Sequence, residues 1–127
     1  NAKQVYSIEI NPNSFHYLKE NIKLNKINNI TPLLGDCMDI TPEYSADRII
    51  MGYVKTTHHY LKVAIDSLNK GGVIHYHETV PEKLMDTRPI NRIKEVAGDR
   101  SVEFLKLNKV KKYSPGVFHV VCDARIN

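Results

Sequence analysis

Two carboxylates, Glu9 and Asp36, stand at positions where acidic side chains can bind a nucleoside. Glu9 lies at the end of one strand-like segment and Asp36 follows the end of the next, and ligands of parallel sheets bind beyond such ends. A strand-end carboxylate can accept hydrogen bonds from both hydroxyls of a ribose, and Asp36 could accept from the exocyclic amine of adenine. Ile10 and Cys37 could contact the ring. These four residues predict an adenosine-binding edge, although a solvated strand end and a plain Gly-Asp turn give the same pattern.

A second set of polar side chains surrounds Gly52-Tyr53-Val54-Lys55, which we call the GYVK loop. Tyr53 is the residue that we expect closest to a reacting group, and a tyrosine that merely packs the loop is an equally good account. Lys55, His58 and His59 follow, where they could contact phosphate or simply face solvent at the start of the next helix. The pattern leaves both interpretations open.

The alternation of His75 and His77 raises the possibility of a metal site, because both side chains point the same way on a strand. A third ligand is not evident. Cys37 and Cys122 have neither zinc-site nor disulfide-framework spacing, and free thiols are typical of a reducing cytoplasm. We therefore expect no metal, and we expect a cytoplasmic protein.

The elements that must position these residues alternate between strands and helices. Strand patterns cover residues 4–10, 30–34, 46–51, 73–79, 101–113 and 117–125. Helical patterns cover residues 12–26, 57–70 and 84–97. We expect the second helix to end at Gly71-Gly72, where glycine takes the left-handed cap, and Pro89 to lie in the first turn of the third. This order predicts an α/β fold, a mostly parallel sheet with a C-terminal antiparallel hairpin.

Length and composition limit the class of protein. A chain of 127 residues fits one domain, and 42% apolar with 25% charged residues are ordinary globular proportions. No apolar run reaches the roughly 20 residues of a membrane span. The formal net charge of +4 and pI near 9.0 favour a polyanionic partner without identifying one. We expect a soluble monomer.

Five segments resemble the family of enzymes that modify the guanosine at tRNA position 37, which has the Rossmann-like class I methyltransferase fold. The most specific are Glu-Ile-Asn-Pro at 9–12 and Tyr-Ser-Pro-Gly-Val at 113–117. All five are VYSIEINPNSFHYLKENIKLNKINN, LLGDCMDI, DRIIMGY, GGVIHYHE and KKYSPGVFHVVCD. The resemblance implies S-adenosylmethionine as group donor and tRNA as partner. The residues it implies in cofactor binding are Glu9, Ile10, Asp36, Cys37 and Gly52.

The GYVK loop separates the branches of that family. The methylating branch carries an Asn-x-Pro type motif there, so the departure implies the aminocarboxypropyl transferases. Their reaction moves the 3-amino-3-carboxypropyl group of S-adenosylmethionine to C7 of 4-demethylwyosine in tRNA(Phe) and releases methylthioadenosine. A sulfonium has three electrophilic carbons, so a loop that changes the alignment would change the product. The alternative within the family is a tRNA guanine-37 N1-methyltransferase.

Two functions of other classes stay open. One is a nicotinamide-dependent dehydrogenase, which could also use Glu9 on a ribose, although the terminal hairpin is unusual for that class. The other is a noncatalytic RNA-binding fragment.

Compared with the family, residues 1–127 form a partial transferase domain that lacks the first strand and glycine-rich loop before Asn1. We expect this piece alone to be poorly stable and inactive, because a central strand would be missing from its sheet.

Overall fold

A computed structural model of the protein describes residues 2–43 and 45–127. Asn1 lies outside the described residues. The chain divides into two compact units, Asn1–Thr41 and Pro42–Asn127, which we call unit 1 and unit 2. None of the described helices combines the length and the apolar character of a membrane span.

Unit 1 is a parallel strand pair joined by a helix. Its elements are β1 Val5–Glu9, α1 Pro12–Leu24, β2 Ile30–Leu34 and α2 Cys37–Ile40. Asn11 starts α1 as an N-cap, because its side chain accepts hydrogen bonds from the backbone amides of Asn13 and Ser14, and Pro12 occupies the first turn. The helix ends two residues before the predicted 26. The strand limits of β2 match the sequence prediction.

Unit 2 is built around a four-stranded sheet. Its elements are β3 Ala46–Met51, a 3₁₀ turn Thr57–Tyr60, α3 Leu61–Ser67, β4 Leu68–Pro81, a 3₁₀ turn Glu82–Leu84, α4 Arg88–Ala97, β5 Val102–Ser114 and β6 Val117–Ile126. The strand order is β3-β4-β6-β5, with β3 parallel to β4 and both pairings of β6 antiparallel. The predicted C-terminal hairpin is confirmed. Among the described strands of both units, two pairings are parallel and two antiparallel.

The predicted end of the second helix is wrong. That helix stops at Ser67, and Leu68 already pairs with Ala46 as the first residue of β4. The ladder then shifts register, and the next described pair joins Arg48 to Val73. A Cβ atom at Gly72 would lie 2.9 Å from both the Asn69 carbonyl oxygen and Leu68 Cδ2, so glycine is needed for a close approach within the strand and not for a helix cap.

Arg100 supplies the stop that the glycines were expected to supply. Its guanidinium donates to the carbonyl oxygens of Ile65 at 2.7 Å and Leu68 at 3.0 Å, and to those of Asn69 at 3.1 Å and Ile126 at 3.3 Å. Carbonyl groups at a helix end need partners. A side chain more than thirty positions away in the sequence therefore ends α3.

The core lies on one face of the unit 2 sheet. Alternate residues of β4 and β6 point to this face, among them Ile74, Tyr76 and Cys122, and pack with Leu61 of α3 and Ile93 of α4. All five are fully buried. The core therefore supports β3 and β4, the strands on either side of the GYVK loop.

Candidate functional site

The two predicted carboxylates lie at one edge of unit 1. Strand register pairs Glu9 with Leu34, and the amide of Gly35 donates to the Glu9 carbonyl oxygen at 3.0 Å. The segments that carry Glu9 and Asp36 therefore leave neighbouring strands at the same carboxyl end. The predicted juxtaposition of these two segments follows directly from the parallel pairing.

Backbone amides orient both carboxylates. Glu9 Oε1 accepts from the amide of Asn11 at 2.7 Å, and Asp36 Oδ1 accepts from the amide of Met38 at 2.9 Å as the N-cap of α2. Each contact uses one oxygen of its carboxylate. The other oxygen of Glu9 has no hydrogen-bond partner among the described residues. A bound hydroxyl could therefore reach an oriented, partly exposed carboxylate.

Apolar side chains beside the carboxylates remain open to solvent. Ile10 is 65% exposed, Leu34 50% and Met38 48%. Cys37 is partly buried, and burial together with the Asp36 carboxylate raises the pKa of its thiol. A protonated thiol is a poor nucleophile but a suitable apolar contact. The set combines acceptors for hydroxyl and amine groups with apolar surface for a ring, which fits the adenosine part of S-adenosylmethionine.

The GYVK loop follows β3 in unit 2 and is attached to β4. The Val54 carbonyl oxygen accepts two hydrogen bonds from Thr79, one from its amide and one from its hydroxyl, each at 3.2 Å. Tyr53 is 59% exposed. A Cβ atom at Gly52 would meet no described atom within 4 Å, so local packing does not require glycine there. The loop thus presents an open surface from a fixed backbone position.

The basic residues after the loop have different environments. Lys55 and His59 are exposed, as a phosphate contact would require. His58 is partly buried, and burial, followed by the charge of Arg92, lowers the pKa of its imidazole. The lowered pKa keeps the His58 imidazole neutral near pH 7, which argues against phosphate contact, one of the two interpretations that the sequence left open for this residue.

The alternating histidines of β4 have separate partners. His75 lies between Arg48, at 2.8 Å from its Nε2, and Asp123, at 2.6 Å from its Nδ1. His77 Nδ1 lies 3.0 Å from Nε2 of His119. The residues that the structure describes contain no group of three or more potential metal ligands. The two histidines therefore belong to different side-chain contacts on one sheet face.

A buried ion cluster is a feature that sequence reasoning missed. Glu78 is 2% exposed, and its Oε1 accepts from Arg88 Nε at 2.5 Å and from Arg92 at 2.6 Å. By sequence the two arginines add only to the general basic character of the chain. The signal was available, since Glu78 follows Ile74 and Tyr76 at two-residue steps and must share their face of the strand. A carboxylate on a buried face requires a charged partner.

The family is shown by a match over most of the chain. The model described as the TRM5/TYW2 methyltransferase domain matches residues 1–105. The chain belongs to the TRM5/TYW2 family. The family recognised from the sequence motifs is thereby confirmed, and with it the class I methyltransferase type of fold.

Individual members of the TRM5/TYW2 family match the chain closely. A tRNA(Phe) (4-demethylwyosine(37)-C(7)) aminocarboxypropyltransferase of Methanocaldococcus jannaschii is 52% identical over 97% of the chain and 50% of its own length. The structure of M. jannaschii TYW2 in complex with AdoMet superposes with a TM-score of 0.93 at 51% identity, covering 98% of this chain and 58% of that one. A tRNA (guanine(37)-N(1))-methyltransferase, Trm5b of Pyrococcus abyssi, is 41% identical over 99% of this chain and 38% of its own. The chain spans about half the length of the curated aminocarboxypropyltransferases that it matches.

Proposed function

We propose that the protein carrying this chain transfers the 3-amino-3-carboxypropyl group of S-adenosylmethionine to 4-demethylwyosine at position 37 of tRNA(Phe). The observation that carries the proposal is the 52% identity to an enzyme of that name, against 41% to the guanine N1-methyltransferase of Pyrococcus abyssi. The nucleoside-binding edge of unit 1 suits both reactions equally. The GYVK loop, in place of an Asn-x-Pro type motif, supports the same choice.

The adenosine part of the donor is assigned to unit 1. Glu9 accepts hydrogen bonds from the ribose hydroxyls, and Asp36 accepts one from the exocyclic amine of adenine. Ile10 and Cys37 contact the ring. The support for these roles is the amide-oriented carboxylates at adjacent strand ends and the exposed Ile10 beside them.

The GYVK loop is assigned to the reacting groups. Tyr53 contacts the target base or the transferred end of the donor, and Gly52 leaves room for that approach. When bound, S-adenosylmethionine supplies the aminocarboxypropyl group: its bond to sulfur breaks as a bond to C7 forms, the electron pair stays on sulfur in methylthioadenosine, and the C7 proton passes to solvent. The residues of the chain need only bind and orient, so no nucleophilic side chain is assigned.

The tRNA partner is assigned a basic surface on the edge strand β5. Between residues 106 and 113 this strand carries four lysines, no acidic residue, and Tyr113, which is 47% exposed. Lys109 lies over the Phe118 ring, 3.6 Å from its centroid. For Lys106, Lys111 and Lys112 the described residues offer no carboxylate within ion-pair distance. Unpaired ammonium groups beside an exposed aromatic ring suit a phosphate backbone with accessible bases.

We further propose that the protein is a monomer and acts in the cytoplasm.

The by-product of the reaction tests the function. The intact protein is incubated with S-adenosylmethionine and tRNA(Phe) that carries 4-demethylwyosine, and the small molecules are measured by mass spectrometry. We expect methylthioadenosine, and tRNA with unmodified guanosine at position 37 serves as the matched control, which should yield none. S-adenosylhomocysteine, from either tRNA, would contradict the proposal and indicate methyl transfer.

A further inference from the structure

Glu78 is a charged group that the proposed reaction does not use. It lies on the core face of β4, 2% exposed, where an unpaired carboxylate would be strongly unfavourable. Arg88 and Arg92 project from α4 and donate to the same oxygen, Oε1, at 2.5 and 2.6 Å. Two partly exposed cations therefore hold one buried anion. Replacing such a cluster with apolar residues is often neutral for stability, so its presence invites a role other than stability.

Arg88 connects this carboxylate to the backbone of the next residue. While its Nε donates to Glu78, its second terminal nitrogen donates to the carbonyl oxygen of Thr79 at 2.6 Å. A guanidinium has a fixed planar fork, so a partner on one nitrogen restricts the direction of the others. The contact with Glu78 therefore fixes the direction in which Arg88 donates to the Thr79 carbonyl oxygen.

Thr79 in turn holds the GYVK loop. Its amide and its hydroxyl both donate to the Val54 carbonyl oxygen, at 3.2 Å each. In the pairing of β3 with β4, Met51 is the partner of Tyr76, and the hydrogen bond from the Thr79 amide continues this pairing beyond Met51. The hydrogen bond from the hydroxyl is an additional contact that requires a Ser or Thr side chain at this position. A continuous series of contacts thus runs from Glu78 through Arg88 and Thr79 to Val54, the residue after Tyr53.

We propose that Glu78, Arg88 and Thr79 are positioning residues that fix the GYVK loop and thereby set which group of S-adenosylmethionine is transferred. The inference rests on the proposed function, because it assigns the loop to the reacting groups. Several carbons on the sulfonium compete, and small displacements of a positioning group can change rates strongly. Loosening the series of contacts should therefore lower kcat and raise the share of S-adenosylhomocysteine among the products.

The experiment removes single contacts from the intact protein. Thr79→Val deletes the hydroxyl donor but preserves the shape of the side chain and the hydrogen bond from the backbone amide to Val54. Glu78→Gln removes the charge that orients Arg88. Glu95→Gln is the matched control for the charge change, since Glu95 lies exposed on α4, the helix that carries Arg88 and Arg92. Hydrogen–deuterium exchange of residues 52–57 reports on the loop without any donor bound, and mass spectrometry reports on the two by-products.

We expect loop exchange to rise about fivefold in Thr79→Val, the equivalent of one neutral hydrogen bond, and more in Glu78→Gln. Both variants should bind S-adenosylmethionine with unchanged Kd and give a lower ratio of methylthioadenosine to S-adenosylhomocysteine. Glu95→Gln should match the parent protein. If Glu78→Gln fails to fold, the isosteric Thr79→Val still decides the matter.

Loop exchange and product ratio that both stay at the parent value in Thr79→Val would overturn the proposal and leave Glu78 a purely structural group. Failure of the proposed function has a different signature, since the unmodified protein itself would then release only S-adenosylhomocysteine. In that case the positioning role is still tested by loop exchange and by kcat for methyl transfer in the same variants. If neither value differs from that of the parent protein, the positioning role is wrong.

Discussion

The two units of the chain differ in how they carry their functional residues. In unit 1 none of the described residues is buried, whereas unit 2 contains every buried apolar residue found in residues 2–43 and 45–127. Glu9 and Asp36 are partly exposed at strand ends, while the GYVK loop is hydrogen-bonded to β4, one face of which packs in the core. The buried core therefore lies in unit 2, whereas Glu9 and Asp36 of unit 1 do not belong to a buried face, and substitutions should separate donor binding from folding stability.

Deleting the same atoms in each unit gives the largest contrast. Leu61 of α3 is fully buried and Leu24 of α1 is 79% exposed. We expect Leu61→Ala to lower the free energy of unfolding by about 2–5 kcal/mol, because a cavity remains. Leu24→Ala should change it by less than about 0.5 kcal/mol. Denaturant unfolding of the intact protein measures both, and equal losses would show that the comparison of the two units is wrong.

Glu9→Gln should separate binding from stability. The amide side chain can still accept from Asn11, but it loses the charge that strengthens hydrogen bonds to ribose hydroxyls. We expect the Kd for S-adenosylmethionine, measured by calorimetry, to rise about tenfold or more, with unfolding little changed. Glu20→Gln, on the exposed surface of α1, is the control and should leave the Kd unaltered. A normal Kd in Glu9→Gln would remove Glu9 from the site.

The lysines of β5 test whether unit 2 also has a binding surface of its own. Lys111→Gln with Lys112→Gln should weaken tRNA binding and reduce the slope of log affinity against log salt by about one for each phosphate that is no longer neutralised. Lys70→Gln with Lys94→Gln removes the same charge from exposed positions elsewhere in unit 2. Filter binding over a range of salt concentrations measures both. Equal effects of the two double variants would mean that net charge, and not β5, attracts the tRNA.

The smallest expected effect concerns protonation of paired histidines. Burial lowers the pKa of His77 and of His119, with further lowering by neighbouring positive charge. The folded state therefore binds fewer protons than the unfolded one, and stability is fully present above the unfolded pKa of about 6.5 and declines as pH falls through the folded pKa values. His77→Gln should flatten this decline in unfolding experiments. His16→Gln, on the exposed surface of α1, is the control, and a decline as steep in His77→Gln as in the parent protein would contradict the assignment.

Local patterns were sufficient wherever neighbouring residues determine the structure. The limits of β2 and β3 were predicted correctly, because apolar runs end at Gly35 and Gly52. The end of α3 was not predictable in this way, since it depends on Arg100, whose contacts with Ile65 and Leu68 exist only in the folded chain. The glycine pair at 71–72 had the expected composition for a helix cap but serves a register shift in β4.

The candidate site shows the same division. The neighbouring positions of Glu9 and Asp36 followed from parallel strands alone, because consecutive strand ends meet at one edge. The contacts that hold the GYVK loop could not be predicted in this way, because they join Val54 to Thr79 and Thr79 to Arg88 across separate elements. The alternation in β4 placed Glu78 on the buried face, but choosing its partners required the tertiary structure.

The irregular ladder of β5 has a consequence for self-association. This strand is at the edge of its sheet, and its pairing with β6 shifts register three times, between Phe104 and Lys106, Lys109 and Lys111, and Lys112 and Ser114. A second copy that approached the open side of β5 would meet a bent row of amides and carbonyls interrupted by lysines, which cannot extend a regular ladder. The edge of β5 is therefore poorly suited to pairing with a second copy of the chain.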